Sequence, residues 1–468
     1  MNVQKSKTEE NTYFIIEDNK LKGKIIANEF IYNSLEESAI EQLKSVSTLP
    51  GIINPVIGMP DMHFGYGVPV GTVAIFDKEN GIISAGMTGF DINCGLRLLK
   101  TNKFYKDIKD NLKEIGKILY DKIPVGLGSK SKIDLTDDDL KEVLTTGVNW
   151  AIKKGYAKEE IKNKIEEEGC MPCEMKISDK ALKRGRKQLE TLGSGNHFLE
   201  IQQIEELYDE ELSKKYNLKE DQIMIMIHTG SRGLGHQVAT DFLNLHEKAV
   251  KKYNINIPDK QLVCAPINSK EGKDYFEAMK CASNFAFVNR TLISFFIEKE
   301  LKKMDFKLET IYDVAHNIAK FEKLSIPIYE YNKIKNEFTI KDSKMKKVLI
   351  HRKGATRAYP NLPVIIAGSM GTASYLLEGT EDSFKHLYGS ACHGAGRALS
   401  RTKAKKEFDA DKIKQDLEEK GKVIRATSSN VITEEAPLAY KNVDEVIKSM
   451  KPYVKIVAKL KPLVVIKG

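Results

Sequence analysis

Short apolar runs alternate along the chain with longer segments in which apolar residues recur at helical spacing. The short runs predict strands at 13–16, 222–227, 348–350, 363–367 and 464–466. The longer periodic segments predict helices at 35–45, 236–253, 275–304 and 404–420. Strands and helices do not follow the regular rhythm of a doubly wound sheet, so we expect an α+β fold of mixed β-sheets packed with helices.

Two stretches differ in composition from the rest. Residues 52–100 are rich in glycine, proline and β-branched side chains, which is typical of short strands and functional loops. Residues 105–190 are rich in lysine and glutamate with helical periodicity, including a charged helix face at 158–168, and predict a helical insertion. The candidate functional residues span almost the whole chain, so we expect one large catalytic domain, 1–468, that contains this insertion.

The charge balance favours a polyanionic partner, because 74 basic and 65 acidic residues give a net charge of +9. Lysine dominates, and only ten residues are arginine. The arginines in or beside the glycine-rich motifs are Arg97, Arg232, Arg352, Arg357, Arg397 and Arg401. The guanidinium group matches phosphate geometry, so we expect phosphate contacts from this group. The alternative is that these arginines pair with carboxylates in the core.

The six cysteines do not resemble the disulfide framework of a small secreted protein. The chain shows no signal-peptide stretch and no apolar run near the roughly 18 residues of a membrane span. We therefore expect a cytoplasmic protein with no membrane partner. Cys170 and Cys173 form a lone CxxC pair, for which a redox or metal role stays open.

Candidate metal ligands begin with Asp91-Ile-Asn-Cys94, which places a carboxylate and a thiol three residues apart in a glycine-rich segment. Histidines in similar or tightly bounded segments are His197, His228, His316 and His393. Carboxylate, thiolate and imidazole can fill the coordination spheres of one or two transition metals, and a thiolate can bridge two. The alternatives are a buried cysteine in a turn and, for His316, a core histidine.

Candidate phosphate chemistry lies in the C-terminal half. His393 precedes Gly-Ala-Gly-Arg397, where glycines clear space for a nucleotide and a neutral imidazole is a competent nucleophile toward phosphorus. His393 could equally be another metal ligand. Residues 368–374 follow a predicted strand and offer hydroxyl and N–H groups, as anion cradles do. Residues 351–357 add three cations, which predict either a phosphate grip or a solvated basic loop.

Together these segments resemble the RtcB family of RNA ligases from about Pro60 to Gly468. The motifs that carry the resemblance are Pro-Asp61-Met-His63-Phe-Gly-Tyr-Gly, Gly-Phe-Asp91-Ile-Asn-Cys94-Gly, Gly-Ser-Gly-Asn196-His197-Phe-Leu-Glu200, His228-Thr-Gly-Ser-Arg-Gly, Ala-His316-Asn, His351-Arg-Lys-Gly-Ala-Thr-Arg, Gly-Ser369-Met-Gly-Thr-Ala-Ser374 and His393-Gly-Ala-Gly-Arg. Two departures are Met87-Thr88, where the family more often has a glycine–valine pair, and Phe64, where tryptophan is common.

The resemblance implies a GTP- and Mn²⁺-dependent ligase that joins RNA 2′,3′-cyclic phosphate or 3′-phosphate ends to 5′-hydroxyl ends, in tRNA splicing or RNA repair. It also suggests an archease-type activating partner. By similarity His393 is guanylylated and Asp61 is a catalytic residue placed near the RNA ends. The metal ligands implied for two Mn²⁺ ions are Asp91, a bridging Cys94, His197, His228 and His316. The implied guanylate contacts are Asn196, Glu200, Ser369, Ser374, His393, Gly394, Ala395, Gly396, Tyr440 and Lys467, and the implied RNA phosphate contacts are Arg232 and Arg397.

Two other functions fit parts of the sequence. A binuclear metal-dependent phosphodiesterase would account for the metal ligands. It would not account for His393 together with Lys467, which suit a covalent nucleotide better. A catalytically silent RNA-binding paralogue is disfavoured because every reactive side chain is present. The identity of the metal rests on the resemblance alone, because a thiolate with imidazoles suits zinc or cobalt at least as well as manganese.

Overall fold

Two large β-sheets organise the protein, whose computed structural model describes all residues from 1 to 468. The strands are β1 Asn2–Lys5, β2 Thr12–Glu17, β3 Lys20–Ile26, β4 Ile52–His63, β5 Val70–Asp77, β6 Ile82–Ile83, β7 Gly95–Phe104, β8 Phe198–Leu207, β9 Gln222–Thr229, β10 Ala265–Pro266, β11 Leu308–Ala315, β12 Asn317–Asn332, β13 Glu337–Lys353, β14 Ala355–Arg357, β15 Pro363–Ile366, β16 Ser374–Gly379, β17 Ser390–Cys392, β18 Val423–Ala426 and β19 Val454–Lys467. Strands and helices are mixed along the chain, which confirms the expected fold class.

The first sheet has the order β1-β2-β3-β4-β5-β13-β12, and only its β3–β4 pair is parallel. The second sheet has the order β11-β7-β9-β8-β19-β16-β15, all antiparallel, with β18 added in parallel to β19. The chain passes between the sheets at His316, which separates β11 in the second sheet from β12 in the first. Strand ends from both sheets therefore meet around this residue.

Helices cover the sheets and separate their cores. They are α1 Glu29–Asn33, α2 Glu37–Val46, α3 Ala85–Thr88, α4 Tyr105–Ile108, α5 Leu112–Lys122, α6 Asp137–Thr146, α7 Val148–Lys153, α8 Asp179–Gly185, α9 Glu210–Tyr216, α10 Arg232–Lys252, α11 Lys270–Leu301, α12 Glu381–His386, α13 Arg401–Glu407, α14 Ala410–Glu419, α15 Ser429–Glu434 and α16 Val443–Met450. The largest apolar core joins β4, β5 and β13 to α2, α10 and α11. A second core lies where α5 packs on β19. No helix combines the length and the apolar character that crossing a membrane would require.

Helix α11 is the main internal support. It spans 32 residues and is capped by the preceding Ser269, whose side chain accepts a hydrogen bond from the Gly272 N–H. Its middle section is buried almost all round, which agrees with a run of apolar and small residues rather than a single apolar stripe. The polar residues in that section make specific contacts, as Arg290 does with Asn93 and Asp313.

All five predicted strands are present, and three of the four predicted helices match α2, α10 and α11. The segment predicted as one helix at 404–420 is divided into α13 and α14. Phe408 is extended at the break, and the Asp409 side chain caps the second helix by accepting from the Lys412 N–H. The charged segment 158–168 is not α-helical: it forms short 3₁₀ turns, and Glu167 and Glu168 adopt positive φ angles of 55° and 53°.

Residues 105–190 contain helices α4 to α8 and 3₁₀ turns but no strand. This segment packs against two different parts of the protein. Helix α5 packs against β18 and β19 of the second sheet, and α6 and α7 pack against α11. The description of this stretch as an inserted subdomain stays a prediction.

Candidate functional site

A cavity of about 320 Å³ lies between the two sheets. Strands of the first sheet contribute His63, Val70 and Lys353, and strands of the second contribute Phe198 and His228. The residues expected from the sequence that line this cavity are Asn196, His228, His316, Ser369, His393, Gly394, Ala395, Gly396, Arg397, Tyr440 and Lys467. The cavity thus gathers residues that are up to 404 positions apart, from His63 to Lys467.

The five predicted metal ligands lie together beside this cavity, and two of them, His228 and His316, line it. Cys94 Sγ is 3.2 Å from His228 Nε2 and 3.3 Å from His197 Nε2. His228 Nε2 is 3.2 Å from His316 Nε2, and His197 Nε2 is 2.8 Å from Asp91 Oδ2. The donor atoms form two three-residue clusters, Cys94–His228–His316 and Asp91–Cys94–His197, which share the thiol of Cys94.

Helix α11 supports the turn that carries Asp91 and Cys94. Asn93 adopts a left-handed φ of 52°, which asparagine tolerates better than most residues, and the Cys94 N–H donates to the Asp91 carbonyl at 3.0 Å. Arg290 of α11 donates to the backbone and side-chain oxygens of Asn93, both at 3.0 Å. The Asn93 amide in turn donates to the Ser283 carbonyl at 2.8 Å. The ligand turn is therefore fixed by a buried hydrogen-bond network.

The three histidines are presented by strand ends. His197 immediately precedes β8, and His228 is the penultimate residue of β9, directly opposite Phe198 in the antiparallel register. His316 lies between β11 and β12, and its N–H donates to the Cys94 carbonyl at 2.9 Å. The prediction that the strand at 222–227 delivers His228 is thus confirmed, and His316 is not an isolated core histidine.

Burial sets the protonation of these groups. Desolvation lowers the pKa of His228 and of His316 well below the usual range, so both imidazoles are neutral and able to act as ligands. Burial, followed by the nearby Asp91 carboxylate, raises the pKa of Cys94 well above its usual range. Burial also opposes ionisation of Asp91, but the attraction of His197 and Arg232 outweighs it and lowers the pKa of that carboxyl.

The residues present fit transition-metal ions. The buried Nδ1 atoms of His228 and His316 have no hydrogen-bond partner. His228 Nε2 contacts both the Cys94 sulfur and His316 Nε2. A protonated thiol that is buried beside a carboxylate becomes a strong ligand only when a cation takes the place of its proton. Two clusters that share one sulfur match the expected pair of ions with a bridging thiolate.

His393 lies beside this cluster, with its ring centroid 4.5 Å from that of His316. Its Nδ1 is 2.7 Å from Asp61 Oδ2 and 2.8 Å from the Gly354 carbonyl oxygen. A carbonyl oxygen can only accept, so Nδ1 carries the proton and Nε2 of the neutral ring carries the lone pair. Asp61 itself is fully buried. The family resemblance implies that Asp61 lies near the RNA ends, and this stays a prediction.

Close backbone packing explains one of the glycines after His393. Gly396 has a φ of 73°, and a Cβ atom at this position would lie 2.2 Å from the Asp61 carbonyl oxygen. No other residue fits there without displacing the strand that carries Asp61. The Gly-Ala-Gly spacing therefore brings the His393 segment into direct contact with its carboxylate partner.

A carboxylate that the sequence did not single out organises the other end of the cavity. Glu435 is fully buried and accepts from Tyr440 Oη at 2.5 Å, Lys467 Nζ at 3.1 Å and Arg397 Nη1 at 3.3 Å. Burial opposes its ionisation, but Lys467, Tyr440 and the nearby arginines together lower the pKa of Glu435 to about 2. Its only sequence signal is a position five residues before Tyr440, in a segment without glycine.

Two of the expected guanylate contacts do not line the cavity. Glu200 and Ser374 lie behind its wall, where the Gln202 amide donates to Glu200 Oε2 at 2.7 Å and to Ser374 Oγ at 3.2 Å. Burial raises the pKa of Glu200 to about 7. Ser369 does face the cavity, next to Thr372, whose hydroxyl accepts from the Ser369 N–H at 2.7 Å.

Two of the arginines beside the motifs pair with carboxylates in the core. Arg97 pairs with Asp313 at 2.7 Å and Arg352 pairs with Glu322 at 2.7 Å, all four side chains being buried. The alternative of core carboxylate pairing therefore holds for these two, and the expectation of phosphate contacts is wrong for them. Likewise, residues 351–353 are buried at the end of β13 and do not form a solvated loop.

Arg397 and Arg401 do line the cavity, and Arg397 stacks over the Tyr440 ring with its guanidinium carbon 4.9 Å from the centroid. Arg232 lies behind the metal ligands and contacts His197 Nδ1 through Nη1 at 3.2 Å. A guanidinium group can only donate, so this contact holds the His197 ring from the side opposite the cluster.

Comparison with known proteins gives a consistent result. The profile of the family described as "tRNA-splicing ligase RtcB" matches residues 42–468. The protein of that name from Methanococcus maripaludis is 45% identical over 477 residues, covering 96% of this chain and 95% of the relative. The one from Archaeoglobus fulgidus is 45% identical over 457 residues, covering 93% and 92%. The one from Thermococcus kodakarensis is 42% identical over 475 residues, covering 96% and 95%.

Proposed function

Because the chain belongs to the RtcB family and is thus an RNA ligase, we propose that it joins an RNA 2′,3′-cyclic phosphate or 3′-phosphate end to a 5′-hydroxyl end, using GTP and two Mn²⁺ ions. The substrates are tRNA halves produced during splicing or other broken RNAs. The observation that carries this proposal is the position of His393, which is oriented by a buried carboxylate and lies 4.5 Å, between ring centroids, from the candidate metal ligand His316.

His393 acts as the nucleophile in this proposal. With its proton on Nδ1, the Nε2 lone pair attacks the α-phosphorus of GTP. The N–P bond forms as the bond to the bridging oxygen breaks, and pyrophosphate leaves with that electron pair. The ring becomes cationic and keeps its Nδ1–H, so the Asp61 carboxylate at 2.7 Å can stabilise the positive charge. The covalent His–GMP intermediate divides a difficult transfer into two easier steps.

The residues around Glu435 would hold the guanylate group. Lys467 Nζ donates to Glu435 and to the Gly195 carbonyl, which keeps the ammonium at the cavity wall instead of in solvent. Tyr440 and Arg397 face the same space. The proposed guanylate contacts remain Asn196, Glu200, Ser369, Ser374, His393, Gly394, Ala395, Gly396, Tyr440 and Lys467, of which Glu200 and Ser374 would contact the nucleotide only after Gln202 releases them.

The two ions would be held by Asp91, Cys94 and His197 on one side and by Cys94, His228 and His316 on the other. Bound there, they would polarise phosphate oxygens and offset their negative charge. Manganese is proposed from the family resemblance, because these donor groups suit zinc or cobalt as well.

Contacts to RNA are proposed from charge and position. Arg397 lines the cavity, whereas Arg232 lies behind His197 and would approach an RNA phosphate only by leaving that ring. The overall charge of +9 favours a polyanionic substrate. An archease-type activating partner and a cytoplasmic location stay predictions.

A ligation assay tests the proposal against a phosphodiesterase. Purified protein is incubated with an RNA that carries a 2′,3′-cyclic phosphate and with a second RNA that carries a 5′-hydroxyl, in the presence of Mn²⁺, with and without GTP. We expect a joined product that appears only when GTP is present. Cleavage of RNA without joining, unaffected by GTP, would favour the phosphodiesterase, and no reaction of either kind would favour a silent RNA-binding protein.

A further inference from the structure

Three cysteines lie outside the cavity, in a part of the protein that the ligase reaction does not use. Cys170 and Cys173 belong to the segment 170–178, which has no regular secondary structure, and Cys281 is a buried residue of α11. Cys173 Sγ and Cys281 Sγ are 3.1 Å apart, although 108 residues separate them in the chain. A disulfide bond is about 2.05 Å long, so a movement of about 1 Å would join the two sulfur atoms.

We propose that Cys173 and Cys281 are a redox modification site, at which a hydroperoxide converts the two thiols into an intramolecular disulfide that ties the segment 170–178 to α11. All six cysteines of the chain are free thiols in the structure. The proposal therefore concerns a second covalent state of the protein, and it does not depend on the ligase mechanism.

Surrounding groups already hold the two thiols in position. The Asn284 side chain, one helical turn after Cys281, accepts from the Met171 N–H at 2.7 Å and donates to the Met171 carbonyl at 2.9 Å. The Glu174 N–H donates to the Glu277 side chain at 2.7 Å. These bonds fix the backbone on both sides of Cys173 against α11, so the two sulfur atoms are held within about 1 Å of bonding distance.

Cys173 is the residue that reacts first. Its side chain is half-buried, whereas Cys281 is fully buried, so only Cys173 is open to a small oxidant. The hydrogen bond between the two thiols, helped by the charge of Lys280, outweighs the opposing effects of burial and Glu277 and lowers the pKa of Cys173. The Lys280 ammonium is held close by, since it donates to the Pro172 carbonyl at 2.8 Å. A lower pKa increases the fraction of reactive thiolate at neutral pH.

The reaction balances with the peroxide as the two-electron oxidant. The Cys173 thiolate attacks one oxygen of hydrogen peroxide, the O–O bond breaks, and a sulfenic acid forms at Cys173. The departing hydroxide takes up the proton that the Cys173 thiol lost and leaves as water. The Cys281 sulfur then attacks the Cys173 sulfur, the S–O bond breaks, and a second water leaves with the Cys281 proton. Two thiols and one peroxide thus give one disulfide and two waters.

The third thiol does not share this environment. Cys170 Sγ lies 3.9 Å from the Thr145 carbonyl, while Cys173 Sγ lies 3.3 Å from the Leu144 carbonyl. The protein contains two clusters of three ligand atoms close enough for a metal ion, and neither includes any of these cysteines. The 3.1 Å contact between the Cys173 and Cys281 sulfur atoms therefore favours a disulfide between these two residues over a disulfide within the CxxC pair or a bound metal.

Peptide mapping of the full-length protein tests the proposal. The protein is treated with a small excess of hydrogen peroxide, free thiols are blocked with iodoacetamide, and the digest is analysed without reduction. We expect a peptide pair that links Cys173 to Cys281 and disappears after treatment with dithiothreitol. A Cys170–Cys173 link, or Cys173 oxidised to a sulfinic acid with Cys281 still free, would overturn the proposal.

Thermal unfolding provides a second readout. A crosslink that closes a loop of this length should raise the unfolding midpoint of the oxidised protein by about 3–5 °C. We expect this rise in wild type and in the control Cys264→Ala, but not in Cys281→Ala. An equal rise in Cys281→Ala would show that another oxidation event is responsible. The mapping of wild-type protein decides the question even if the Cys281 variant fails to fold.

Discussion

Asp61 Oδ2 and His393 Nδ1 are 2.7 Å apart, so a buried carboxylate holds the ring proton on the side facing away from the cavity. The Gly354 carbonyl accepts from the same nitrogen at 2.8 Å, which fixes the tautomer independently of Asp61. The Gly354 carbonyl therefore helps only to orient the His393 ring. The Asp61 carboxylate orients the ring and also stabilises the positive charge that the ring acquires.

The variant Asp61→Asn should consequently keep the orientation of the His393 ring but remove the negative charge beside it. We expect the rate of His393 guanylylation to fall by roughly 10²–10³-fold, which is typical when one preorganised electrostatic contact to a developing charge is removed. The rate is measured from uptake of α-labelled GTP, and metal content serves as the control because Asp61 contacts none of the metal ligands. A rate within a factor of two of wild type would show that the carboxylate has no electrostatic role.

Removal of the shared thiol should affect both metal sites at once. A serine hydroxyl is a far poorer ligand than a thiolate, so Cys94→Ser should lower the content of both ions, not of one. Metal content after dialysis is measured by mass spectrometry, with Cys264→Ser as the matched control for loss of a buried thiol. Loss of a single ion would mean that Cys94 belongs to one site only, and retention of both would mean that it is a packed turn residue.

Replacement of Glu435 by glutamine should impair the nucleotide end of the cavity while leaving the metal cluster intact. Without the carboxylate, Lys467, Tyr440 and Arg397 lose their common partner and the two cations repel each other. We expect kcat/KM for GTP in guanylylation to fall by roughly 10–100-fold. The matched control is Glu434→Gln, whose carboxylate faces Lys405 outside the cavity. Equal effects of the two substitutions would contradict a positioning role for Glu435.

The raised pKa of Glu200 predicts a pH-dependent stability. Burial moves its pKa from the ordinary 4.5 to about 7, so the folded protein holds a proton that the unfolded chain releases between these values. The stabilising contribution of Glu200 to the free energy of unfolding is complete below pH 4.5 and is lost as the pH rises through 7. The difference in free energy of unfolding between Glu200→Gln and wild type should therefore increase, in favour of the variant, by up to roughly 3 kcal/mol from pH 5 to pH 8.

Denaturant unfolding of the protein without metal or nucleotide measures this difference. Glu435→Gln should behave differently, because the pKa of Glu435 is depressed to about 2 and its stabilising charge is fully present at both pH values. A Glu200→Gln difference that is the same at pH 5 and pH 8 would show that the carboxyl is already ionised in the folded protein.

Part of the site could be predicted because its residues occupy recognisable local positions. His228 ends an apolar strand, and His197 and His393 lie in glycine-rich segments that bring backbones close together. Asp91 and Cys94 share one tight turn. These features are encoded within a few residues of each side chain, so motif and periodicity were sufficient to select them.

Other features depend on partners far away in the chain. Arg97 has the same glycine neighbours as the phosphate-binding candidates, but its partner Asp313 is 216 residues later and is visible only in the fold. Glu435 likewise acquires its role from Lys467 and Arg397.

The helix predicted at 158–168 does not form for a similar reason. Buried Lys320 binds Glu166 at 2.5 Å and Glu167 at 2.9 Å. This tertiary pairing outweighs the local helical pattern. Sequence spacing alone does not reveal such contacts.

The most direct test of the account is the transfer of label from α-labelled GTP to His393. In the presence of Mn²⁺, wild-type protein should acquire acid-labile, base-stable label, and peptide mapping should locate it on His393. His393→Ala should take up none while keeping its metal content, and His386→Ala, which removes a histidine outside the cavity, should label normally. Label on His393→Ala at the wild-type level, or wild-type protein that ligates RNA without ever becoming labelled, would contradict the account.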